Sequence, residues 1–514
     1  MAKKPKPKNE PVIVPLIPPA GGAVIRMYRI GHGDCFLIAF EGVDPAKPCF
    51  VLIDCGYKPG SPKLMEPPTN VRDIAADIAG VTGGFIDILV ITHEHQDHII
   101  GFTATNFPDL KVGKVWFSWT ENPEDELANR LRRKHNDTLA WLIDASRNLR
   151  SLGAVESADA VSTFLEFELG EPPEEFQGKV TNAAAGGGKD PAASVNKQAM
   201  KFVVDRSSDK QPAFLYPHEV VRPLPAAKTA RAFVLGPPCD EEKLDDLNPI
   251  GSEIFGDKHV DAAIAPRPEL VAKTGKSPFW NGFVIPLEEA RGLNFESSFF
   301  RDNYGDENAG KTEQADGEPI LANTAWRRID SDWANPSIQM ALAMNNDTNN
   351  ASLVLAFELS KGGKVLLFAA DAQAGNWRSW AEATIQDGSE SVSVQDLLGR
   401  AVVYKTGHHG SHNATLNGPA NSSYPSLGWM GKGKYQSEFT AMITAVRKWA
   451  ETQKGWDHPQ PAIKSALLEK ADGRVLQTDT PLETMVAGSN NAQWEAFMGR
   501  VKQTSLYFDL KIDP

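Results

Sequence analysis

The segment Ile88-Leu-Val-Ile-Thr-His93-Glu-His95-Gln-Asp97-His98-Ile-Ile-Gly101 constrains this chain more than any other. Its apolar, mostly branched start predicts a buried strand, and the strand delivers three histidines and an aspartate within six positions. Side chains alternate along an extended segment, so His93 and His95 share one side, while Asp97 and His98 turn away where a helix begins. Imidazole and carboxylate are donors for Zn²⁺-type ions, so one turn of this kind can feed two metal ions. A polar loop without a ligand has no need of three histidines here, in a chain that holds only 11 among 514 residues.

A second cluster repeats the pattern. The strand-like Ala401-Val-Val-Tyr-Lys405 leads into Thr-Gly-His408-His409-Gly-Ser411-His412, so six of the 11 histidines fall in two short segments. Between them, the apolar run Val365-Leu-Leu-Phe-Ala-Ala ends in Asp371, where a bridging carboxylate is expected. Val51-Leu-Ile-Asp54 is another strand ending in an acid, and Asp54 reads as a group that fixes a ligand histidine rather than as a ligand. Asp34 in Gly31-His-Gly-Asp34 reads as a turn acid buttressing the site, with His32 in reach of the cleft. His412 and His458 read as structural, and His135, His218 and His259 as bland surface or core residues.

Short strand-like runs at Val24–Ile30, Cys35–Phe40, Cys49–Ile53, Phe85–Thr92 and Lys114–Trp119 are each bounded by Gly, Asp or Pro. Apolar residues at helical spacing predict a helix over Val71–Ala79, giving an α/β alternation. Glu124 to Leu152 predicts charged amphipathic helices. Glu171 to Ala193, rich in Pro, Gly and Ala, reads as a linker or loop, and the polar, aromatic-dotted stretch from Asp240 to about Pro336 reads as an insertion. Strands resume at Ala351–Leu359, Lys364–Ala369 and Ala401–Lys405. A helix is predicted near Ser437–Lys454, and a final strand pair ends at Ser505–Leu510.

With 53 Lys+Arg against 66 Asp+Glu, the net charge of −13 argues against a protein that holds nucleic acid mainly through its own charge. A metal ion could do that work locally. Four cysteines without a Cys-x-x-Cys pair match neither a disulfide scaffold nor a zinc knuckle and fit a reducing compartment. No apolar stretch is long enough to span a membrane, and prolines break the run after the basic start too early for a signal peptide. A cytoplasmic protein with no membrane partner is expected.

Taken in order, Ile30-Gly-His-Gly-Asp34, Leu52-Ile-Asp54-Cys-Gly56, Thr92–His98, Val234-Leu-Gly-Pro237, Asn349-Asn-Ala-Ser352, Leu366–Asp371 and Lys405-Thr-Gly-His-His-Gly-Ser411 resemble a metallo-β-lactamase-fold hydrolase. Within that superfamily they are most similar to the hydrolase domain of the ComEC competence proteins and its stand-alone relatives. The resemblance covers residues 23–120 and 340–510. It implies an α/β fold, the metallo-β-lactamase-type four-layer αβ/βα sandwich with large insertions, and a metal site at one edge. The expected organisation is a disordered basic, Pro-rich tail over 1–20 and a first half of the core over 21–120. Insertions follow over 121–320, with a core strand near 231–237, and the second half of the core spans 321–514.

Residue by residue, the resemblance implies His93 and His95 on one ion, Asp97 and His98 on the other, Asp371 bridging, and His408 completing the second site. His408 is preferred to His409 because it follows directly on the strand and its turn. Where many relatives carry a third histidine on the first ion, this chain offers Asn345–Asn350, with Asn349 the best alignment. An amide is a weak ligand, so one or two ions per chain are expected, Zn²⁺ or Mn²⁺ by the nitrogen and carboxylate donors.

Two such ions about 3.5–4 Å apart can generate hydroxide at neutral pH and clamp a phosphodiester. Asp97 is then the residue that orients the hydroxide, while His409, Lys405 and Ser411 stand where a phosphoryl oxygen needs stabilising. The resemblance implies a metal-dependent phosphodiesterase or nuclease acting on DNA or RNA, as a regulated effector with a regulatory protein partner at the insertion. The Gly/Ala-rich stretch 183–193 would serve as a cover. The alternatives are hydrolysis of a small ester or phosphodiester (a lactone, cyclic nucleotide or phosphocholine ester) and a non-catalytic scaffold on the same fold.

Overall fold

The computed structural model describes residues 13–151, 154–176, 193–256, 312–313, 319–320, 334–453 and 456–514. The basic start, most of the Gly/Ala-rich stretch and most of the segment from Asp240 to Pro336 lie outside the described residues. The chain divides into two units. One holds residues 1–132, 166–262 and 345–514, and the other holds 133–165 and 263–344.

In the first unit, fifteen strands build two sheets. They are β1 (Ala23–Tyr28), β2 (Phe36–Phe40), β3 (Cys49–Ile53), β4 (Phe85–Val90), β5 (Lys111–Ser118), β6 (Ala213–Leu215), β7 (Val220–Val221), β8 (Arg231–Gly236), β9 (Val354–Glu358), β10 (Val365–Phe368), β11 (Ala401–Lys405), β12 (Thr440–Ile443), β13 (Val475–Gln477), β14 (Val501–Gln503) and β15 (Tyr507–Ile512). The first sheet has the order β14-β15-β1-β2-β3-β4-β5-β6 and the second β13-β12-β11-β10-β9-β8-β7. Strands β3 to β6 run parallel in one sheet and β10 to β13 in the other.

Alternation along each strand decides what faces what. Ala23, Ile25 and Met27 of β1 and Phe36, Ile38 and Phe40 of β2 point into one core with Leu355 and Phe357 of β9 and Leu366 and Phe368 of β10. Phe36 meets Phe368 edge to face at 5.3 Å across the two sheets. The opposite faces are covered by helices. On the first sheet lie α1 (Val71–Thr82) and, from the insertion, α5 (Val195–Asp205). Ahead of α5, the insertion forms α3 (Glu126–Ser151) and α4 (Val155–Leu169). On the second sheet lie α7 (Ala374–Ser379) and α8 (Pro461–Lys470); earlier in the chain comes α6 (Ala334–Asn350). The result is the four-layer αβ/βα sandwich with insertions that the motifs imply.

Helix α1 illustrates how local sequence sets an element. Asn70 caps it by accepting from the Arg72 amide, Gly83 closes it in the left-handed conformation, and Val71, Ile74, Ala75 and Ile78 face the sheet. The second unit is helical over 133–151 and 155–165, where the Ser146 and Ser162 hydroxyls meet at 2.9 Å. It also carries the small pair Thr312–Glu313 with Pro319–Ile320.

Three segments differ from expectation. Residues 13–20 do not lie free: Leu16 is buried and the Val14 carbonyl accepts from Arg26 at 3.3 Å, because Arg26 and the α1 face offer both a donor and apolar cover. Residues 437–453 are mostly not helical, since Thr440–Ile443 is strand β12, next to the edge strand β13, and only the end of a 3-10 turn at Ser437–Glu438 and the short Arg447–Ala450 coil. The strand pair at the end is β14 and β15, and β15 continues to Ile512 beside β1.

Candidate metal centre

The parallel strands of both sheets end at one edge, and their following loops supply the site. Strand β3 delivers Asp54, β4 leads to His93–His98, β10 to Asp371 and β11 to Lys405, His408 and His409. The turn after His95 starts a short helix, α2 (Gln96–Ile99), that carries Asp97 and His98. Four non-glycine residues here, Asp54, Ala370, His408 and His409, have φ between +41° and +54°. Left-handed backbone costs such residues on the order of 1 kcal/mol or more each, and it concentrates where strands must turn sharply to aim side chains inward. Gly33 and Gly56 let the loops touch: a Cβ on Gly56 would sit 2.3 Å from the His98 amide nitrogen, and one on Gly33 2.6 Å from the Asp97 carbonyl.

Asp97, His98, Asp371 and His409 bring one donor atom each to within 4.8 Å of one another, all buried. His409 thus occupies the place in this group where His408 is expected. His409 Nε2 lies 3.0 Å from Asp97 Oδ2 and 3.4 Å from Asp371 Oδ2, and its Nδ1 meets Thr444 Oγ1 at 3.0 Å. The half-buried His408 points elsewhere, its Nε2 lying 3.2 Å from the Asn349 amide. Both residues sit in a tight left-handed turn, which sends the two rings apart.

His98 is held as Asp54 was expected to hold a ligand. Asp54 Oδ2 meets His98 Nδ1 at 2.8 Å and accepts from the Thr92 hydroxyl, which leaves His98 Nε2 facing Asp371 at 3.2 Å. On the other side of the turn, His93 Nε2 and His95 Nδ1 approach to 3.1 Å. His93 Nδ1 is backed by the hydroxyls of Thr92 and Ser352 at 3.1 and 3.2 Å.

Two buried lysines complete the electrostatics. Lys405 reaches Asp34 at 2.5 Å, the Ala370 carbonyl at 2.8 Å and Asp371 at 3.4 Å. Its ammonium is therefore committed to holding the protein's own carboxylates, whereas a phosphoryl contact is expected from sequence. Lys58, which no sequence motif marks, lies 3.0 Å from Asp97 Oδ1 and 3.3 Å over the Phe167 ring.

Burial opposes charge on His409, but Asp371 and Asp97 outweigh it and raise its pKa to about 9. Burial likewise opposes charge on His98, and Asp371, Asp34 and Asp54 raise it well above the ordinary histidine value. His408 goes the other way, pushed down to about 3 chiefly by burial. Burial disfavours ionised Asp97, yet Lys58 and His409 hold it well below the usual carboxylate range.

The donor set fits a divalent cation. Asn349 Oδ1 and His408 Nδ1 are buried without a hydrogen-bond partner among the described residues, an arrangement that costs free energy unless something polar completes it, while Asp97 Oδ1 and His98 Nε2 are met only by Lys58 and Asp371. A rim of rings adjoins the group. His32 lies 4.7 Å from both His409 and Trp449 and stacks on His458 at 5.5 Å, while His458 is 4.9 Å from Trp456.

Residues 31–159, which carry the His93–His98 turn, match the family model of the metallo-beta-lactamase superfamily. Proteins of this superfamily are generally hydrolytic metalloenzymes, and the buried donor groups agree with metal binding. No curated protein and no solved structure matches the chain. No helix among the described residues is long and apolar enough to cross a membrane.

Sequence reasoning missed Lys58, Glu168, Ser352 and Thr444 as site residues. Lys58 stands two positions after Gly56 and carries no signal beyond that proximity. Glu168, whose Oε1 meets His95 Nε2 at 2.8 Å, comes from α4 in a stretch without any motif.

Proposed function

We propose that this chain is a divalent-metal-dependent phosphodiesterase that cleaves nucleic acid. The observation that carries this reading is the buried group Asp97, His98, Asp371 and His409, rich in carboxylate and flanked by a second pair of imidazoles. His93 Nε2 and His95 Nδ1, with the unsatisfied Asn349 Oδ1, would hold one ion, and the four-donor group the other, with Asp371 shared. A mixed nitrogen and oxygen donor set without thiolate suits Zn²⁺ or Mn²⁺. When bound, such ions supply Lewis acidity and make water a nucleophile source at neutral pH.

The remaining work falls to the chain itself. Lys58 is the cation next to Asp97 that can meet a phosphoryl oxygen, in the role first expected of Lys405. Lys405 holds Asp34 and Asp371 in place. The half-buried Trp456, beside His458, would offer a base an aromatic ring to stack on, which is sequence-tolerant. The deep burial of the donors also favours a second reading, hydrolysis of a small ester or phosphodiester, because a long polymer reaches a recessed group less easily.

Mn²⁺ or Zn²⁺ titrations against labelled single- and double-stranded DNA and RNA, with bis-p-nitrophenyl phosphate alongside, separate these readings. Polymer cleavage that needs metal and is lost in Asp97→Ala/His98→Ala establishes the nuclease. Turnover of the small diester alone selects the second reading, and silence on both in metal-loaded protein refutes phosphodiester chemistry.

A further inference from the structure

The inserted region contributes to the metal-binding turn through a short, tightly held piece of chain. Helix α4 ends at Phe167-Glu168-Leu169, and the next residue, Gly170, has φ +74°. A Cβ on Gly170 would fall 2.3 Å from Asn196 Oδ1, so the α4 terminus and the start of α5 are in close contact. Asn196 is fully buried, and its side-chain amide donates to the carbonyls of Glu94 and Phe167, each at 2.8 Å. One amide thus ties the backbone between His93 and His95 to the backbone beside Glu168. The Thr348 hydroxyl donates to Glu168 Oε2 at 3.2 Å, and Glu168 Oε1 faces His95 Nε2 at 2.8 Å. Both side chains of that pair are buried.

We propose that Glu168 is a positioning residue of the metal centre, acting through His95. This rests on the metal-centre reading given above. An ionised carboxylate only accepts hydrogen bonds, so its contact requires the proton of His95 to sit on Nε2. That leaves Nδ1, the atom 3.1 Å from His93 Nε2, as the lone pair offered to an ion. The carboxylate also makes the imidazole a stronger donor, as partners behind ligand histidines generally do. The insertion is then part of the metal centre, holding a ligand of the first ion through its Nε2.

The test uses the full-length chain, stripped of metal, as wild type, Glu168→Gln and Glu168→Ala. Calorimetric Zn²⁺ titration is expected to show one class of ions weakened about 10- to 100-fold in both variants, with the other class unchanged. Nitrogen-15 spectra of histidine-labelled protein, with the His95 signal identified by its loss in His95→Gln, are expected to show the Nε2–H form in wild type and its loss of dominance in Glu168→Ala. Wild-type protein that binds two ions alongside variants that bind both equally well refutes this inference alone. An Nδ1–H form of His95 in the wild type refutes it regardless of how the variants fold. Wild-type protein that binds no ion refutes the metal-centre reading and this inference with it.

Discussion

Loading the metal-free protein with a divalent ion should drive protons off it, and the structure fixes how many. His98 and His409 both lie in the four-donor group, and each can coordinate only after losing a proton from its inward nitrogen. His98 is doubly protonated at pH 7, because Asp54 holds Nδ1 and Asp371 faces Nε2 at 3.2 Å, raising its pKa well above the usual value despite burial. His409, at about 9, keeps its proton as well. Asp97 and Asp371 are held well below the usual carboxylate range, Lys58, His98 and His409 outweighing their burial, so they are already ionised. Burial, then His98 and His95, keep His93 neutral. Filling the four-donor group at pH 7 should therefore release about two protons, and its affinity should rise about tenfold per proton per pH unit between pH 6 and 8. Calorimetry in phosphate and in Tris, whose ionisation heats differ, reads the proton number from the difference in apparent enthalpy. His409→Gln should lower it by one. Identical heats in the two buffers, corrected for dilution, would refute the protonation scheme and the donor assignment built on it.

Other perturbations test the frame around the site. Asp371→Asn should abolish metal-dependent thermal stabilisation, which at 100-fold excess over Kd is worth about 2.7 kcal/mol per ion, and a melting curve that still rises with metal would contradict a shared ligand. Gly56→Ala puts a Cβ 2.3 Å from the His98 amide nitrogen, so a loss of about 1–3 kcal/mol in urea unfolding together with weakened metal binding is expected. Arg26 donates to Asp77 and Asp509 at 2.7 Å each in a buried cluster, and Arg26→Met should cost about 3–5 kcal/mol at pH 7 and less at pH 4, where the stranded carboxyls protonate. Burial and Glu94 raise Glu121 to about 7, so ionised Glu121 opposes folding as pH climbs above its unfolded value. Glu121→Gln should raise the melting temperature at pH 8, by up to about 3 kcal/mol of stability, and leave it unchanged at pH 4.

The chain order of the core was readable because each core strand in the first half is an apolar run stopped by a turn residue, and several of those turn residues meet in the candidate site. Thr440–Ile443 escaped because Phe439-Thr-Ala-Met-Ile-Thr-Ala445 sits among residues with helical spacing, and only its place between β11 and β13 makes it a strand. His93, His95, Asp97, His98 and Asp371 were legible from spacing within one turn or at one strand end. The choice between His408 and His409 was not, because it depends on two successive left-handed residues, φ +41° and +52°, that no local pattern encodes. Glu168 and Lys58 were illegible for a different reason. Each is one charged residue among many, and only tertiary contact, 2.8 Å to His95 and 3.0 Å to Asp97, separates them from solvated charge.

Four carboxylates, Asp34, Asp54, Asp97 and Asp371, are buried within this small volume, and such a concentration of like charge would not stay folded unless balanced. The balance comes from inside the chain: Lys405 bridges Asp34 and Asp371, Lys58 pairs with Asp97, and protonated His98 lies between Asp54 and Asp371. Of these cations, only the histidines would have to be discharged for a divalent ion to enter the four-donor group. The histidine protons can leave, but the lysines cannot be coordinated and remain as fixed positive charge beside the ions. Under the proposed phosphodiesterase reading, that local positive charge would favour an anionic group at the site in spite of the overall charge of −13. On that reading, a chain of this net charge gives a polyanion no long-range attraction, and the buried Lys58 and Lys405 beside the carboxylates would favour negative charge only within the candidate site.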